Sequence, residues 1–410
     1  MINPNDGWPT FEDVFNAYKE CRIGKPANAQ QTRLEFRLGE NLVTLTREIQ
    51  DRSYEPSRST CFVVTHPKPR EFFAAHFRDR IVHHLVISRL TPIWEPRFSP
   101  SSYACRKGMG THGAIRELKK QVRKVSQGGL KTVHVLQLDL ASFFVSINRP
   151  ILKSLVLRQT KDTLAWLIET IFESDARKNV YMQSPKKMFE LIPSEKSWFS
   201  RPDDEGIPIG NLTSQFGANL YLNELDHFIK RNLKARSYIR YMDDLTFFDT
   251  DHEKLSELIE PVDQWLKTNR KQCLNPRKTS LKSLWQGIEY LGYKIKQTRC
   301  QSDPAKLYTP EKKKWEFIGD LRNLERTGIR ALEFSHPLAP PSKKRAQERL
   351  ASVNARLGLQ KHAASFRMRK EALEALIRKL YPITEMPDDF VGSKWVPIKV
   401  KKNFGSIKMR

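Results

Sequence analysis

The chain has 410 residues, 71 of them Lys or Arg against 46 Asp or Glu, for a formal net charge of +25. No run of about 18 apolar residues is present to span a bilayer, the polar start Met1–Gly7 lacks the apolar core of a secretory signal, and five scattered cysteines without a C-x-x-C argue against a structural zinc or a disulfide framework. These features place the chain in the cytoplasm. The charge calls for a polyanionic partner, with nucleic acid ahead of a membrane surface, since no lipidation signal or isolated basic amphipathic helix is present.

Residues 11–52 read as helical. Phe11, Val14, Phe15 and Tyr18 lie at helical spacing, Gly24–Pro26 breaks the pattern, and a second periodic run covers Leu34 to Ile49. Cys61–Phe73 reads as two strands about a Pro67-Lys68-Pro69 turn. A helix then runs from Arg78 to about Leu90. His83 and His84 are neighbours on it and point apart, so they suit a core or a phosphate contact better than a metal.

Ser101–His112 holds Arg106 and Lys107 ahead of Gly108-Met109-Gly110 and a helix start near Thr111. Cations, glycines and a helix N-terminus together make a triphosphate cradle, and the same stretch reads equally well as a plain loop. A basic helix (115–125) leads to an apolar strand from Val133 that ends on Asp139, an acid with no packing role there. Residues 160–200 are helical and then irregular. In Gly206–Asp226 a glycine loop enters a helix; Gly210, Ser214 and Gln215 are placed to touch a sugar or base, while Gly217 and Ala218 suit helix packing.

Tyr238–Phe248 reads as a hairpin with its turn at Met242-Asp243-Asp244. Asp-Asp is an ordinary turn dipeptide, and it is also what a divalent cation requires of a rigid mount. Asp139 supplies a third carboxylate, and three carboxylates from two elements suit a two-metal nucleotidyl transfer. Glu253–Leu266 reads as one amphipathic helix, Leu274–Thr279 as a basic turn and Tyr290–Ile295 as a strand. The succession describes an α+β fold, an antiparallel sheet with helices on one face. Beyond about residue 300 the chain is helical and basic over 311–333 and 343–380. His362, Phe366, Arg367 and Arg369 interleave rings with cations as a nucleic-acid grip does, although a solvated helix face has the same composition.

Taken in order, these motifs resemble the reverse transcriptases. Phe77–His84 and Ser102–Gly108 are similar to the fingers motifs of bacterial members, and Leu138–Phe144 to the first catalytic motif. Gly206–Gln215 is similar to the template-and-nucleotide motif, Tyr241-Met-Asp-Asp244 to the signature hairpin, and Asn275–Thr279 and Tyr290–Tyr293 to the last palm motifs. Gly210-x-x-x-Ser214-Gln215 and Leu357–Arg367 resemble the branch holding the diversity-generating-retroelement enzymes and the defence-associated "unknown group".

The resemblance implies a right-hand polymerase. N-terminal helices and fingers would occupy 1–130, a palm 131–300 with an insertion at about 160–205, a helical thumb 301–380 and a basic tail 381–410. It implies catalysis by Asp139, Asp243, Asp244 and Lys278, with two Mg²⁺ ions (or Mn²⁺ in their place) held by the three aspartates and the Leu140 carbonyl. Arg106 and Lys107 would hold phosphates, Phe144 would exclude a 2′-hydroxyl, and Gly210, Ser214 and Gln215 would line the nucleotide and template. Arg78, Arg80, His362, Arg367 and Arg369 would contact nucleic acid. The implied partners are a template or non-coding RNA, primer, cDNA and dNTPs, with a second protein subunit or a further copy of the chain as an additional associate. The implied role is antiphage defence, with diversity generation as the alternative. A catalytically idle RNA-binding scaffold is the rival from another class.

Overall fold

The structure is a computed structural model. It describes residues 8–24 and 28–333, positions 351 and 355, and a short antiparallel pair formed by Thr384–Glu385 and Lys399–Val400. The elements in chain order are α1 (Phe11–Arg22), α2 (Ala29–Phe36), α3 (Leu38–Gln50), β1 (Ser59–Val64), β2 (Arg70–Ala74), α4 (Phe77–Trp94), α5 (Gly110–Val125) and β3 (His134–Asp139). There follow α6 (Phe143–Ser146), α7 (Arg149–Leu157), α8 (Asp162–Glu173), β4 (Val180–Met182), α9 (Lys186–Phe189), α10 (Leu212–Tyr221), α11 (Asn223–Arg231), β5 (Tyr238–Tyr241) and β6 (Asp244–Asp249). The last are α12 (His252–Ser256), α13 (Ile259–Arg270), β7 (Ser280–Ser283), β8 (Ile288–Tyr290), β9 (Tyr293–Gln297), β10 (Ala305–Tyr308) and α14 (Glu311–Glu333). Two compact units emerge, Met1–Leu118 with Leu136–Leu281, and Lys119–Val135 with Lys282–Arg410. Among the described residues no helix is long and apolar enough to cross a membrane.

In the first unit α1 opens on a capping box: Asp13 N–H donates to Thr10 Oγ1 and Thr10 N–H to the Asp13 carboxylate. Val14, Ala17, Tyr18 and Cys21 turn its apolar stripe inward, and Tyr18 meets Phe77 of α4 edge-on, with ring centres 6.4 Å apart. The predicted run from Leu34 to Ile49 is interrupted at Arg37, whose φ of −129° leaves the helical region, so it forms α2 and α3. Phe36 consequently sits on the surface, 87% exposed, although the period assigns it to the core.

A three-stranded sheet of order β2-β1-β4 follows these helices in the chain. β1 and β2 pair antiparallel around the Pro67–Pro69 turn, and β4 adds to β1 in parallel, so residues 160–205 return a strand, Val180 opposite Ser59, to a sheet begun far earlier in the chain. Trp198 anchors that return. Its ring meets Phe73 edge-on with centres 4.9 Å apart, its backbone N–H and the Ser197 hydroxyl donate to the buried Glu71 carboxylate, and its indole fills the space beside Gly206. Gly206 has φ +84°, and a Cβ there would collide with that indole, so no other residue fits.

A four-stranded sheet, order β5-β6-β3-β7, carries the candidate site. The stretch predicted as one helix over Glu253–Leu266 is two, α12 and α13. Pro261 has no N–H to donate and would clash with the carbonyl four residues back in a continuous helix; it is accommodated in the first turn of α13. In the second unit β10-β9-β8 form a sheet. Tyr290–Ile295, predicted as one strand, is a hairpin: Leu291 and Gly292 have φ of +45° and +86°, the double positive that a tight primed turn requires. Gln297 ties the unit together through its side-chain bonds to Val133 N–H and Lys131 C=O.

Candidate active site

Asp139 is the last residue of β3, 8% exposed, with its carbonyl accepting from Asn275 N–H at 2.8 Å. The next residues continue that pairing through Ala141 N–H to Cys273 C=O and a bridge between Leu140 and Leu274. This contact carries the basic turn at Pro276–Lys278 to the end of β3. There the Lys278 ammonium donates to Asp139 Oδ1 at 2.6 Å.

The predicted hairpin forms. Tyr238 pairs with Phe247 and Tyr241 with Asp244, leaving Met242 and Asp243 as a two-residue loop. Asp244 is therefore the first residue of β6 rather than part of the turn. Tyr238, Ile239, Leu245, Phe247 and Phe248 are all buried, which fixes the hairpin in the sheet and leaves the two acids at its tip. Met242 takes φ +58°, a region costly to a side chain this large.

The acids act on one another. Burial first, and then the charge of Asp139, raises the Asp243 carboxyl above the usual range, while Lys278 and Arg70 pull it down. The exposed Asp244 is shifted as well: loss of hydration first, and then the charges of Asp243 and Asp139, push it up to about 7 against the pull of Lys278. Three hard oxygen donors that repel one another are the donor set that a divalent magnesium ion relieves. Carboxylate oxygens are the donor type such an ion takes, although among the described residues no group of three or more His, Cys, Asp or Glu is placed to hold a metal ion.

Phe144, on α6, is half-buried, stacks edge-on with Phe143 at 5.4 Å, and through its carbonyl accepts from Ile207 N–H at 3.0 Å. The Gly206–Gln215 segment is thereby drawn beside the strand end that bears Asp139. Its Gly210 packs on the backbone of Phe73, whose N–H donates to Ile209 C=O. Gln215 is half-buried on α10, whereas Ser214 is 2% exposed and faces the interior.

Arg106 is used internally. Its guanidinium donates to the Glu95 carboxylate and to the carbonyls of Ser99 and Ser102, lies over the Phe98 ring, and is 6% exposed in its side chain. The adjoining Lys107 is exposed. Arg78 pairs with Glu48 and covers Tyr54, and Arg80 donates to the Ala75 carbonyl, so both hold the start of α4. His362, Arg367 and Arg369 lie outside the described residues.

Two groups escaped sequence reading. Arg70, exposed at the start of β2, acts on Asp243 from another sheet; its turn-flanking position carried no signal. Arg240 is wholly buried beside Asp226. An arginine inside an apolar strand is as anomalous as the aspartate ending β3, and that anomaly was the available clue.

The profile of a family described as reverse transcriptase (RNA-dependent DNA polymerase) matches residues 68–295, a span holding Asp139, the hairpin and Lys278. Protein YkfC of Escherichia coli is 26% identical over 330 residues, covering 72% of this chain and 82% of that protein. An uncharacterized 91 kDa protein in the cob intron of Schizosaccharomyces pombe is 26% identical over 159 residues, 38% of this chain and 16% of that protein.

Proposed function

The chain belongs to the reverse transcriptase family, and on that premise we propose that it copies an associated non-coding RNA into DNA, in the service of antiphage defence. The observation that supports catalysis over an idle scaffold is the convergence of Asp139, Asp243 and Asp244: the charge of Asp139 raises the cost of charging Asp243, and both raise that of charging Asp244. A scaffold gains nothing from such repulsion.

In this reading β3 and the β5–β6 hairpin are the core of a palm, the β2-β1-β4 sheet belongs to the fingers, and α14 opens the thumb. Asp139, Asp243 and Asp244 would hold two Mg²⁺ ions, with the Leu140 carbonyl available as a further ligand. When bound, such ions lower the pKa of a primer hydroxyl and neutralise charge on the triphosphate. Lys278, half-exposed and already at the carboxylates, supplies a proton or a cation to the departing pyrophosphate. Arg70 and Lys107 take the phosphate contacts, since Arg106 spends its donors on carbonyls and Glu95. Phe144 packs beneath the sugar and selects deoxynucleotides, and Gln215 lies along the template or nascent base.

The Gly210-x-x-x-Ser214-Gln215 pattern supports the branch that contains both defence-associated and diversity-generating enzymes. Diversity generation is therefore the second reading.

The test is incorporation of dNTPs on RNA templates with Mg²⁺, and sequencing of the RNA that copurifies together with the DNA made from it. Templated DNA from one bound non-coding RNA is expected. An absence of metal-dependent synthesis on every RNA and primer supplied would overturn the polymerase reading, and cDNA of a neighbouring variable gene would replace defence by diversity generation.

A further inference from the structure

Arg240 and Asp226 are both 0% exposed in their side chains, and they meet in a two-pronged contact: Nε to Oδ1 at 2.8 Å and Nη2 to Oδ2 at 2.7 Å. Tyr238 Oη donates to the same Oδ1 at 2.8 Å. The remaining guanidinium nitrogen, Nη1, donates to Asn219 Oδ1 at 3.1 Å and to the carbonyl of Met242 at 3.0 Å. Met242 is the residue held at φ +58°, immediately before Asp243. Asn219 also donates to Ala104 C=O, and Ser102 Oγ reaches its Oδ1. The backbone of Arg240 pairs with Ser101 and Tyr103 on the free edge of β5. One buried guanidinium thus joins the turn bearing Asp243, the α10 helix bearing Gln215, and the loop leading to Lys107.

A buried ion pair is poor evidence of stabilisation, because desolvating both charges offsets much of their attraction. What this pair provides is direction. A strained turn persists only where its surroundings over-determine it, and here the fixed planar fork of arginine does so at the carbonyl next to the acid.

We infer that Arg240, oriented by Asp226 and Asn219, is a positioning residue that holds the Met242–Asp243 turn in the conformation needed to present Asp243 to the metal. This rests on the polymerase reading above. Lysine in place of Arg240 keeps the charge but has no fork, so it cannot serve Asp226, Asn219 and Met242 together.

The experiment compares the wild-type chain with Arg240→Lys, Asp226→Asn and, as a control at a buried arginine whose bonds go to Glu224 and the Tyr221 carbonyl rather than to the turn, Arg270→Lys. Folding is followed by circular dichroism and Mn²⁺ affinity by calorimetry. Arg240→Lys is expected to lower kcat by about 10²-fold, as a misplacement of about 1 Å does, to leave KM for dNTP within about threefold, and to weaken Mn²⁺ binding. Asp226→Asn should show the same split, and Arg270→Lys should lose stability without it. A folded Arg240→Lys or Asp226→Asn with wild-type kcat and Mn²⁺ affinity overturns the inference. So does unfolding of both variants while Arg270→Lys folds, since the pair would then serve the fold alone. A wild-type chain that neither binds Mn²⁺ nor copies any template overturns the polymerase reading instead.

Discussion

Lys278 Nζ lies 2.6 Å from Asp139 Oδ1, so the ammonium at the Pro276–Lys278 turn pairs with the carboxylate that ends β3. The lysine side chain is 46% exposed and the aspartate 11%, which leaves the cation able to leave its partner when a more highly charged one arrives. Lys278→Met should therefore lower kcat by about 10²-fold, within the range of a general acid. Lys278→Arg should restore substrate binding but not kcat, because a guanidinium does not give up its proton. Steady-state kinetics decide it, and an unchanged kcat in Lys278→Met removes the lysine from the chemistry.

Asp243→Asn separates function from fold. The raised carboxyl shows that burial and the charge of Asp139 both disfavour the ionised form. An isosteric amide removes that penalty, so the metal-free variant should melt at or above the temperature of the metal-free wild type. Polymerisation should vanish, and so should the thermal shift on adding Mg²⁺. Paired melting curves with and without Mg²⁺, read beside a dNTP assay, test both halves. Normal incorporation by the variant would sink the proposed mechanism.

Phe144 is held from two sides, by the Phe143 ring and by the Ile207 N–H on its carbonyl. Its backbone will therefore stay in place when the ring is removed. Phe144→Ala should raise kcat/KM for ribonucleotides by about 10-fold or more, the scale of a steric discrimination in an apolar pocket. The rate with deoxynucleotides should fall only modestly. If ribonucleotide use is unchanged in single-nucleotide incorporation, the aromatic ring is not the sugar filter.

The parts legible in the sequence were those where one residue contradicts its surroundings. Asp139 ends an apolar strand and Asp243-Asp244 interrupt a run of rings; both stood out as candidates, and in the structure the charge of Asp139 reaches Asp243 and Asp244. The rest depends on contacts that spacing does not encode. Arg106 and Lys107 are adjacent and look equivalent, but only the fold shows that Ser99 and Ser102 present their carbonyls to Arg106. Gly206 reads as loop punctuation until Trp198 is found against it. Element boundaries failed where backbone conformation overrode side-chain period: at Arg37, where the helix stops in mid-pattern, and at Leu291–Gly292, where two positive φ angles fold one apolar run into two strands. A basic residue flanking a turn, such as Arg70, is too common in a chain of this charge to stand out.

His83 gives the fold a measurable acid sensitivity. It lies on the inner face of α4, 7% exposed, and burial, helped by the charges of His84 and Arg80, lowers its pKa to about 4 from an ordinary 6.5. The folded chain thus keeps this imidazole neutral, while the unfolded chain protonates it. Its contribution to stability is complete above pH 6.5, falls as the pH drops from there, and is fully lost near pH 4, a change of about 3 kcal/mol at about 1.4 kcal/mol per pKa unit. The neighbouring Asp79 runs the other way, since burial raises its carboxyl and favours the folded state as the pH falls. Only a difference between two proteins isolates the histidine. His83→Leu, of similar size and without a titrating group, should be more acid-resistant than the wild type by an amount that grows from pH 6.5 to pH 4 and vanishes above pH 7. Urea denaturation of both proteins at matched pH values measures it, and parallel stability curves over that window would show that His83 is not kept neutral by the fold.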